Sequence, residues 1–309
     1  MANIRPLSPA LAAKASAELN EDPRRVPDDI QHLKDWLAKQ PHLKARTDDQ
    51  WLLCFLRGCK FSLERTKEKL DLFYSLRSTA PEMYCIKHTD AKFDEILSLG
   101  AIITLPKVAA PDAPRVTLIR AGQYDPDKYS IFDIMAVSNI LQKIILMEDD
   151  NAVVAGSVGI LDLENVTMGH FLQMTPMTMK KMVVASQDAM PFRMKGTHYL
   201  NTPTGFETVF NAMKGLLNEK NRNRLYVHNK NYDAMYQYIS KDILPTEYGG
   251  NGGSINDILA YWKNKVKEYS AFLEEDMQFG TDESKRPGKP KTAEDIFGAE
   301  GSFRKLEFD

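Results

Sequence analysis

Asp162 and Glu164 stand two residues apart at the end of the run Gly159-Ile-Leu-Asp-Leu-Glu-Asn165. Strand ends in α/β enzymes often carry carboxylates that act as general acid and base. His170, His198 and His228 could move protons, but they are dispersed, and each reads more simply as a hydrogen-bonded structural residue. The chain has no Walker A loop, no strand-anchored G-x-G-x-x-G and no G-x-S-x-G elbow. The glycines at 249, 250, 252 and 253 have no following lysine and read as a turn. Cys54, Cys59 and Cys85 are odd in number and fit no metal spacing. They read as free thiols in a reducing compartment. Two carboxylates without a nucleophile or a metal set make no mechanism. An enzyme built on Asp162 and Glu164 is the minor alternative, and no catalytic or metal-binding residue is assigned.

The other chemistry on offer is attraction to anions. Residues 190–230 hold Arg193, Lys195, Lys214, Lys220, Arg222, Arg224 and Lys230 against Glu207 and Glu219, a net +5 in a chain of net −2. The overall balance argues against a nucleic-acid partner, which would call for a basic domain. The local charge flanks a run in which Phe206, Val209, Phe210, Met213, Leu216 and Leu217 follow the i, i+3, i+4, i+7 rule. An apolar helix beside a basic patch suits an anionic membrane surface. The plainer alternative is a helix packed on a core with solvated lysines around it.

A binding cavity has its own signature. Seven of the fourteen methionines lie between Met168 and Met194, and methionine suits irregular, exchangeable apolar contacts. Met179, Met182, Val183 and Ser186 share one helix face. Ile131, Met135, Ser138, Gln142 and Ile145 share another, with two polar side chains one turn apart inside an apolar stripe. Buried polar groups need partners. Ser138 and Gln142 either bond to nearby backbone or meet the single polar end of a greasy ligand.

These residues must be placed by elements that the pattern makes readable. Residues 1–27 are polar and weakly patterned, a flexible lead-in with room for one short helix. Caps at Asp28 or Asp29, at Thr47 in a capping box, and at Ser62 open helices within a unit spanning 28–85. From 90 to 253, β-branched runs at 101–105, 116–121, 158–163, 196–201 and 225–228 alternate with helices at 130–149, 175–188 and 204–218. That alternation argues for an α/β unit with a mainly parallel sheet. A C-terminal helix occupies 254–280, and 281–309 is expected to be disordered. No stretch approaches the roughly 18 apolar residues of a membrane span. The N-terminus lacks the apolar run of a secretory signal, so a cytoplasmic protein is expected.

Four ordered segments resemble the CRAL-TRIO family, and within it the tocopherol-transfer-like branch. They are Phe55-Leu-Arg-Gly-Cys-Lys-Phe61, Ile160-Leu-Asp-Leu-Glu-Asn165 with residues 170–176, the segment from Pro191 through Lys195 and His198 to Asn201, and Leu244-Pro-Thr-Glu-Tyr-Gly-Gly250. The resemblance implies an N-terminal helical bundle and an α/β domain whose sheet floors an apolar pocket. A mobile helix, here 204–217, would close it. It implies a monomeric carrier with no cofactor beyond a bound hydrophobic lipid of tocopherol, retinoid or other isoprenoid type. The implied pocket comprises Met135, Ser138, Gln142, Leu161, Met168, Met179, Met182, Val183, Ser186, Met190, Phe206, Val209, Phe210, Met213 and Leu217. In the tocopherol branch a basic cleft beside the gate binds phosphatidylinositol bisphosphates at membranes. Arg193, Lys195, Lys214, Lys220 and Arg224 match it by position, with Arg222 and Lys60 close by. A phospholipid exchanger for phosphatidylinositol or phosphatidylcholine is the alternative. Two departures stand out. Cys59 replaces an arginine of the family motif, and Met135, Met168, Met182, Ala185 and Met190 replace bulkier or branched pocket residues. The pocket therefore differs in shape from that of a tocopherol carrier.

Overall fold

The computed structural model describes residues 3–298. Helix α1 (Pro9–Leu19) starts where the Ser8 hydroxyl accepts from the Leu11 amide, with Pro9 at its first position. Leu11, Ala15 and Leu19 recur one turn apart and bury in a small cluster with Val154 and Ala155. Most of the expected flexible lead-in is therefore docked. Its apolar stripe is short, and its partners lie far along the chain.

Helices α2 (Val26–Leu37), α3 (Asp49–Gly58) and α4 (Leu63–Thr79), with the two-residue β1 (Leu43–Lys44), form the N-terminal helical unit. Trp51, Phe55 and Phe73 pack ring against ring in its core. The helix expected from a Thr47 capping box starts at Asp49 instead, with Asp48 as a cap whose side chain makes no capping bond. After α5 (Ala91–Leu99) come β2 (Ile102–Thr104), β3 (Arg115–Arg120), α6 (Ile131–Glu148) and β4 (Ser157–Asp162). Then follow α7 (Met168–Gln173), α8 (Pro176–Val183), β5 (Met194–Leu200), α9 (Phe206–Leu216), α10 (Glu219–Arg222), β6 (Leu225–Asn229) and α11 (Tyr232–Tyr236). The described chain ends with α12 (Ile255–Glu268), α13 (Ser270–Asp276), β7 (Gly280–Thr281) and α14 (Ala293–Phe297).

Five strands pair in the order β2-β3-β4-β5-β6. β2 runs antiparallel to β3, and the other neighbours are parallel. Parallel neighbours need helical crossovers, which α6, α8 and α9 supply. The mainly parallel α/β fold behind a helical unit is the one the sequence led us to expect. One core joins Leu118, Ile160 and Leu200 of the sheet to Ile144 of α6 and Trp262 of α12. A second joins Trp51, Leu53 and Phe73 to Leu146 and to Val184, Ala185 and Met190, just beyond α8. The helical unit thus braces the segment after α8, where the expected single helix 175–188 changes to π-helical winding over Val184–Ala189.

The expected disordered tail needs correcting over its described part. Arg286 places two nitrogens on the Asp71 carboxylate, both at 2.8 Å, and Lys291 reaches it at 2.7 Å. Phe297 is buried, with the Lys181 ammonium of α8 5.6 Å from its ring. Residues 1–2 of the lead-in and 299–309 of the tail lie outside the described residues. No helix among the described residues is long and apolar enough to cross a membrane.

Candidate functional site

A cavity of about 930 Å³ lies between α6, the sheet, the segment after α8, and α9. That is the upper end of the range for small-molecule sites. Strand alternation sets its floor, since side chains at i and i+2 share a face. Thr117 and Ile119 of β3, Gly159 and Leu161 of β4, and Thr197 and Tyr199 of β5 all line it. α6 is apolar nearly all round because it serves two interiors. Ile131, Ile134, Met135, Ser138, Leu141, Gln142 and Ile145 line the cavity. Asn139 instead donates to the Met83 carbonyl at 2.9 Å, and Lys143 pairs with Asp276 at 2.7 Å.

Among the described residues Ser138 and Gln142 bond to each other and not to backbone. The Gln142 amide donates to the Ser138 hydroxyl oxygen at 3.0 Å. Among the described residues the Gln142 carbonyl oxygen has no further protein hydrogen bond, and neither does the Tyr199 hydroxyl. Burial pushes Tyr199 up to about 12, so it stays a neutral donor. The wall is mainly apolar and offers a few uncharged polar groups; of the charged residues that also line it, Arg115 is paired with Asp149 and Lys69 is bound to backbone carbonyls.

Of the pocket residues expected from the sequence, all but Met168 and Met179 line this cavity. Met179 is buried in the packing of α8. Met168 is 69% exposed and Leu172, one turn on, is 73% exposed. Thr167 caps a separate short helix there, which turns Met168 outward while His170, Phe171 and Met174 take the cavity side. Sequence reasoning missed Tyr199, although its signal was available. With His198 buried on one face of β5, Thr197 and Tyr199 must lie on the other.

α9 covers the cavity on light tethers. Of its side chains only Phe206 is buried. Tyr199, Phe206 and Phe210 pack with ring centroids 5.0–5.4 Å apart. Gly205, at the N-cap, has φ 88°, a left-handed conformation that favours glycine. Beyond the far end, the Gln187 side-chain oxygen Oε1 accepts from the side-chain amides of Asn218 at 2.7 Å and Asn221 at 2.8 Å. The Gln187 segment is itself pinned. Lys69 of α4 donates to the backbone carbonyls of Gln187 and Met190 at 3.1 Å and of Asp188 at 2.5 Å. Gln187→Ala removes the polar latch but leaves the pin. Exposed neutral hydrogen bonds contribute about 0.5 kcal/mol each at the low end of their range, so lid opening should rise about fivefold. Transfer of a fluorescent lipid to neutral vesicles should speed up by that factor. An unchanged rate would show that the latch does not hold α9 shut.

The cavity opens at a mouth lined by Lys60, Arg193, Lys220 and Arg224. The Lys220 ammonium is pushed below its ordinary value by burial and then by Arg224, Lys60, Arg193 and Lys195. Such crowding of cations is relieved by a multivalent anion. Close packing makes the mouth. A Cβ on Gly58 would sit 2.3 Å from the Pro191 carbonyl oxygen, so only glycine lets the end of α3 meet that loop. Lys60 and Phe61 then turn with φ of 54° and 58°, a conformation rare outside glycine that concentrates at functional sites. Cys59 lies in the same wall, its thiol pushed up by burial. Lys195 stands behind the mouth, paired to Glu18 at 2.8 Å. Lys214 and Arg222 do not line it. Lys214 is 6.0 Å from the centre of the Phe210 ring, and Arg222 donates to the Leu217 carbonyl at 3.2 Å.

The candidate catalytic groups have structural work. Asp162 accepts from the Tyr248 hydroxyl, from Asn201 at 2.8 Å and from the Glu164 amide at 3.0 Å, while Glu164 is exposed. His170 lies 3.0 Å from the Tyr124 carbonyl oxygen and accepts from the Thr167 amide at 3.1 Å. His198 and His228, dispersed in sequence, meet across β5 and β6 at 2.8 Å, on the sheet face away from the cavity. Burial, and then His228, pushes His198 down to about 4. Among the described residues no group of three potential metal ligands is present.

The family profile described as CRAL/TRIO domain matches residues 107–250, and one described as Pinta-like, UBA domain matches residues 22–92. The chain is 32% identical over 271 residues to the alpha-tocopherol transfer protein-like protein of Homo sapiens, covering 85% of this chain and 78% of the relative. It is 30% identical over 249 residues to clavesin-2 of Homo sapiens, covering 79% and 75%. Among solved structures, Sfh5 superposes with a TM-score of 0.50 at 15% identity, over 85% of this chain and 99% of that one. That last likeness speaks to the fold alone.

Proposed function

The chain belongs to the CRAL-TRIO family of lipid-binding and transfer proteins, and from that premise we propose that it carries one small hydrophobic lipid and releases it at phosphoinositide-bearing membranes. The lipid is neutral and largely apolar, of the tocopherol, retinoid or other isoprenoid class. The carrier works in the cytoplasm as a monomer and meets the membrane transiently. One observation carries this reading: a mouth crowded with Lys60, Arg193, Lys220 and Arg224 opens onto an apolar cavity roofed by the lightly held α9.

The chemistry of each part supports the proposal. Ser138, Gln142, Thr197 and Tyr199 give the interior neutral polar groups, which suits one hydroxyl or carbonyl on a ligand. The lysines and arginines lie at the mouth, where they would meet a membrane headgroup. Raising α9 exposes Val209, Phe210 and Met213, at up to about 1.5–3 kcal/mol for each side chain fully transferred to water. The bilayer can take that stripe, along with the exposed Met168 and Leu172. Each cation near an anionic surface contributes about 1 kcal/mol, so the mouth offsets much of the opening cost.

Native mass spectrometry of protein purified from cells tests the ligand. An extracted isoprenoid-type lipid, one per chain, is the expected result. Stoichiometric phosphatidylinositol or phosphatidylcholine would instead establish a phospholipid exchanger.

A further inference from the structure

We infer that Glu18 is a resident anion at the back of the basic mouth, holding Arg193 of the mouth and Lys195 behind it, which a phosphorylated headgroup must displace to engage those two cations. The inference rests on the mouth being an anion site, as proposed above. Glu18 lies on α1, beside the buried stripe of Leu11, Ala15 and Leu19. Its Oε2 accepts from the Lys195 ammonium at 2.8 Å and from the Arg193 guanidinium at 3.4 Å. Those two residues belong to the patch that the family resemblance implies for phosphoinositide. The hydrogen bond from Lys195, and then the one from Arg193, hold the Glu18 carboxyl below its ordinary range.

Three features show that the contact is built. The segment that receives α1 also anchors one of the cations, because the Val154 carbonyl accepts from Arg193 while Val154 and Ala155 bury the α1 stripe. Lys14, one turn before Glu18, pairs with Asp112 at 2.9 Å and keeps α1 in place. The Glu18 side chain is 38% exposed, whereas that of Arg193 is 12% exposed. The carboxylate can therefore swing out to water while the guanidinium stays.

Glu18 thus occupies Arg193, which lines the mouth, and Lys195 behind it. Lys60, Lys220 and Arg224 remain to attract an anion. One carboxylate shared between two cations is a weak competitor for adjacent phosphates, which bring more charge and more acceptor oxygens to the same point. A headgroup with clustered phosphates, on a lipid or free, can replace it.

Glu18→Gln keeps the shape of the side chain and removes the charge. Two probes separate the sources of phosphate: soluble inositol trisphosphate, and phosphatidylcholine vesicles containing phosphatidylinositol bisphosphate. The variant should bind both about fivefold more tightly, with an unchanged melting temperature showing that α1 is still docked. Unaltered binding to both probes would overturn the inference. A gain on vesicles alone would also overturn it, because a general change of surface charge would then suffice. Lys220→Ala with Arg224→Ala is the control for the underlying reading. If the double variant binds weakly while Glu18→Gln is neutral, the mouth stands and the resident anion falls. If the double variant binds as the parent does, the anion site itself is refuted.

Discussion

Replacing Lys220 and Arg224 together by alanine is expected to weaken binding to bisphosphate-containing vesicles roughly thirtyfold. Each removed cation forfeits about 1 kcal/mol near an anionic surface, and about 1.4 kcal/mol is a factor of ten. Both residues line the mouth, and neither is neutralised by a carboxylate among the described residues. Arg193 and Lys195 share Glu18 instead, so removing them would confuse loss of attraction with release of α1. The Lys220 side chain stands mostly in solvent and its ammonium makes no hydrogen bond among the described residues, so its loss should not disturb the fold. Arg224 donates to the Met194 carbonyl and will lose that bond. Ligand affinity in solution therefore belongs in the same experiment and should be largely kept. Transfer to acidic vesicles should slow with binding, while transfer to neutral vesicles should not change. Sedimentation with vesicles at fixed ionic strength reads the first effect, because exposed charges are screened within about 10 Å at 0.1 M salt. Unchanged sedimentation would remove the mouth from the mechanism and leave α9 as a lid without a charge trigger.

The parts of this site that were legible in the sequence are those whose signal is local. Phe206, Val209, Phe210 and Met213 repeat at helical spacing, so α9 and its apolar side could be read directly. Ser138 and Gln142 stand one turn apart in an apolar run, which placed them on one wall of whatever α6 faces. The mainly parallel sheet followed from β-branched runs separated by helices. What escaped was what depends on distant partners. The stripe of α1 is only Leu11, Ala15 and Leu19, and its meaning comes from Val154 and Ala155. Glu18 looks like one more exposed acid until that docking brings it to Lys195. Met168 sits in a methionine-rich stretch, yet the short helix opened at Thr167 turns it to solvent. His198 and His228 meet only because β5 and β6 pair with His198 opposite Tyr226, which sets His228 on the same face. The tail from 281 to 298 is charged and without periodicity, and it is ordered by ion pairs to Asp71 of α4, far away in the chain.

Phe210→Asp is expected to cripple retention and delivery together, and it decides whether α9 is a valve or merely packing. Phe210 meets Tyr199 edge-on at 5.1 Å and Phe206 at 5.0 Å, and aromatic pairs of this kind contribute about 0.5–1.5 kcal/mol each. Losing both, together with part of a side-chain burial worth about 1.5–3 kcal/mol, should favour the open lid by about 2 kcal/mol. That is roughly a thirtyfold rise in ligand escape. The new carboxylate also faces an apolar cavity, where an unpaired charge is disfavoured. At an acidic membrane the same charge repels the surface and lowers the attraction by about 1 kcal/mol, so docking should weaken about fivefold. Phe210→Leu keeps an apolar residue and should retain most of both activities. The comparison with core packing is then direct. Of the α9 side chains only Phe206 is buried, so the melting temperature of Phe210→Asp should fall little while ligand off-rate and transfer change strongly. A large drop in melting temperature with normal transfer kinetics per folded molecule would place α9 in the core and leave the cavity without a moving lid.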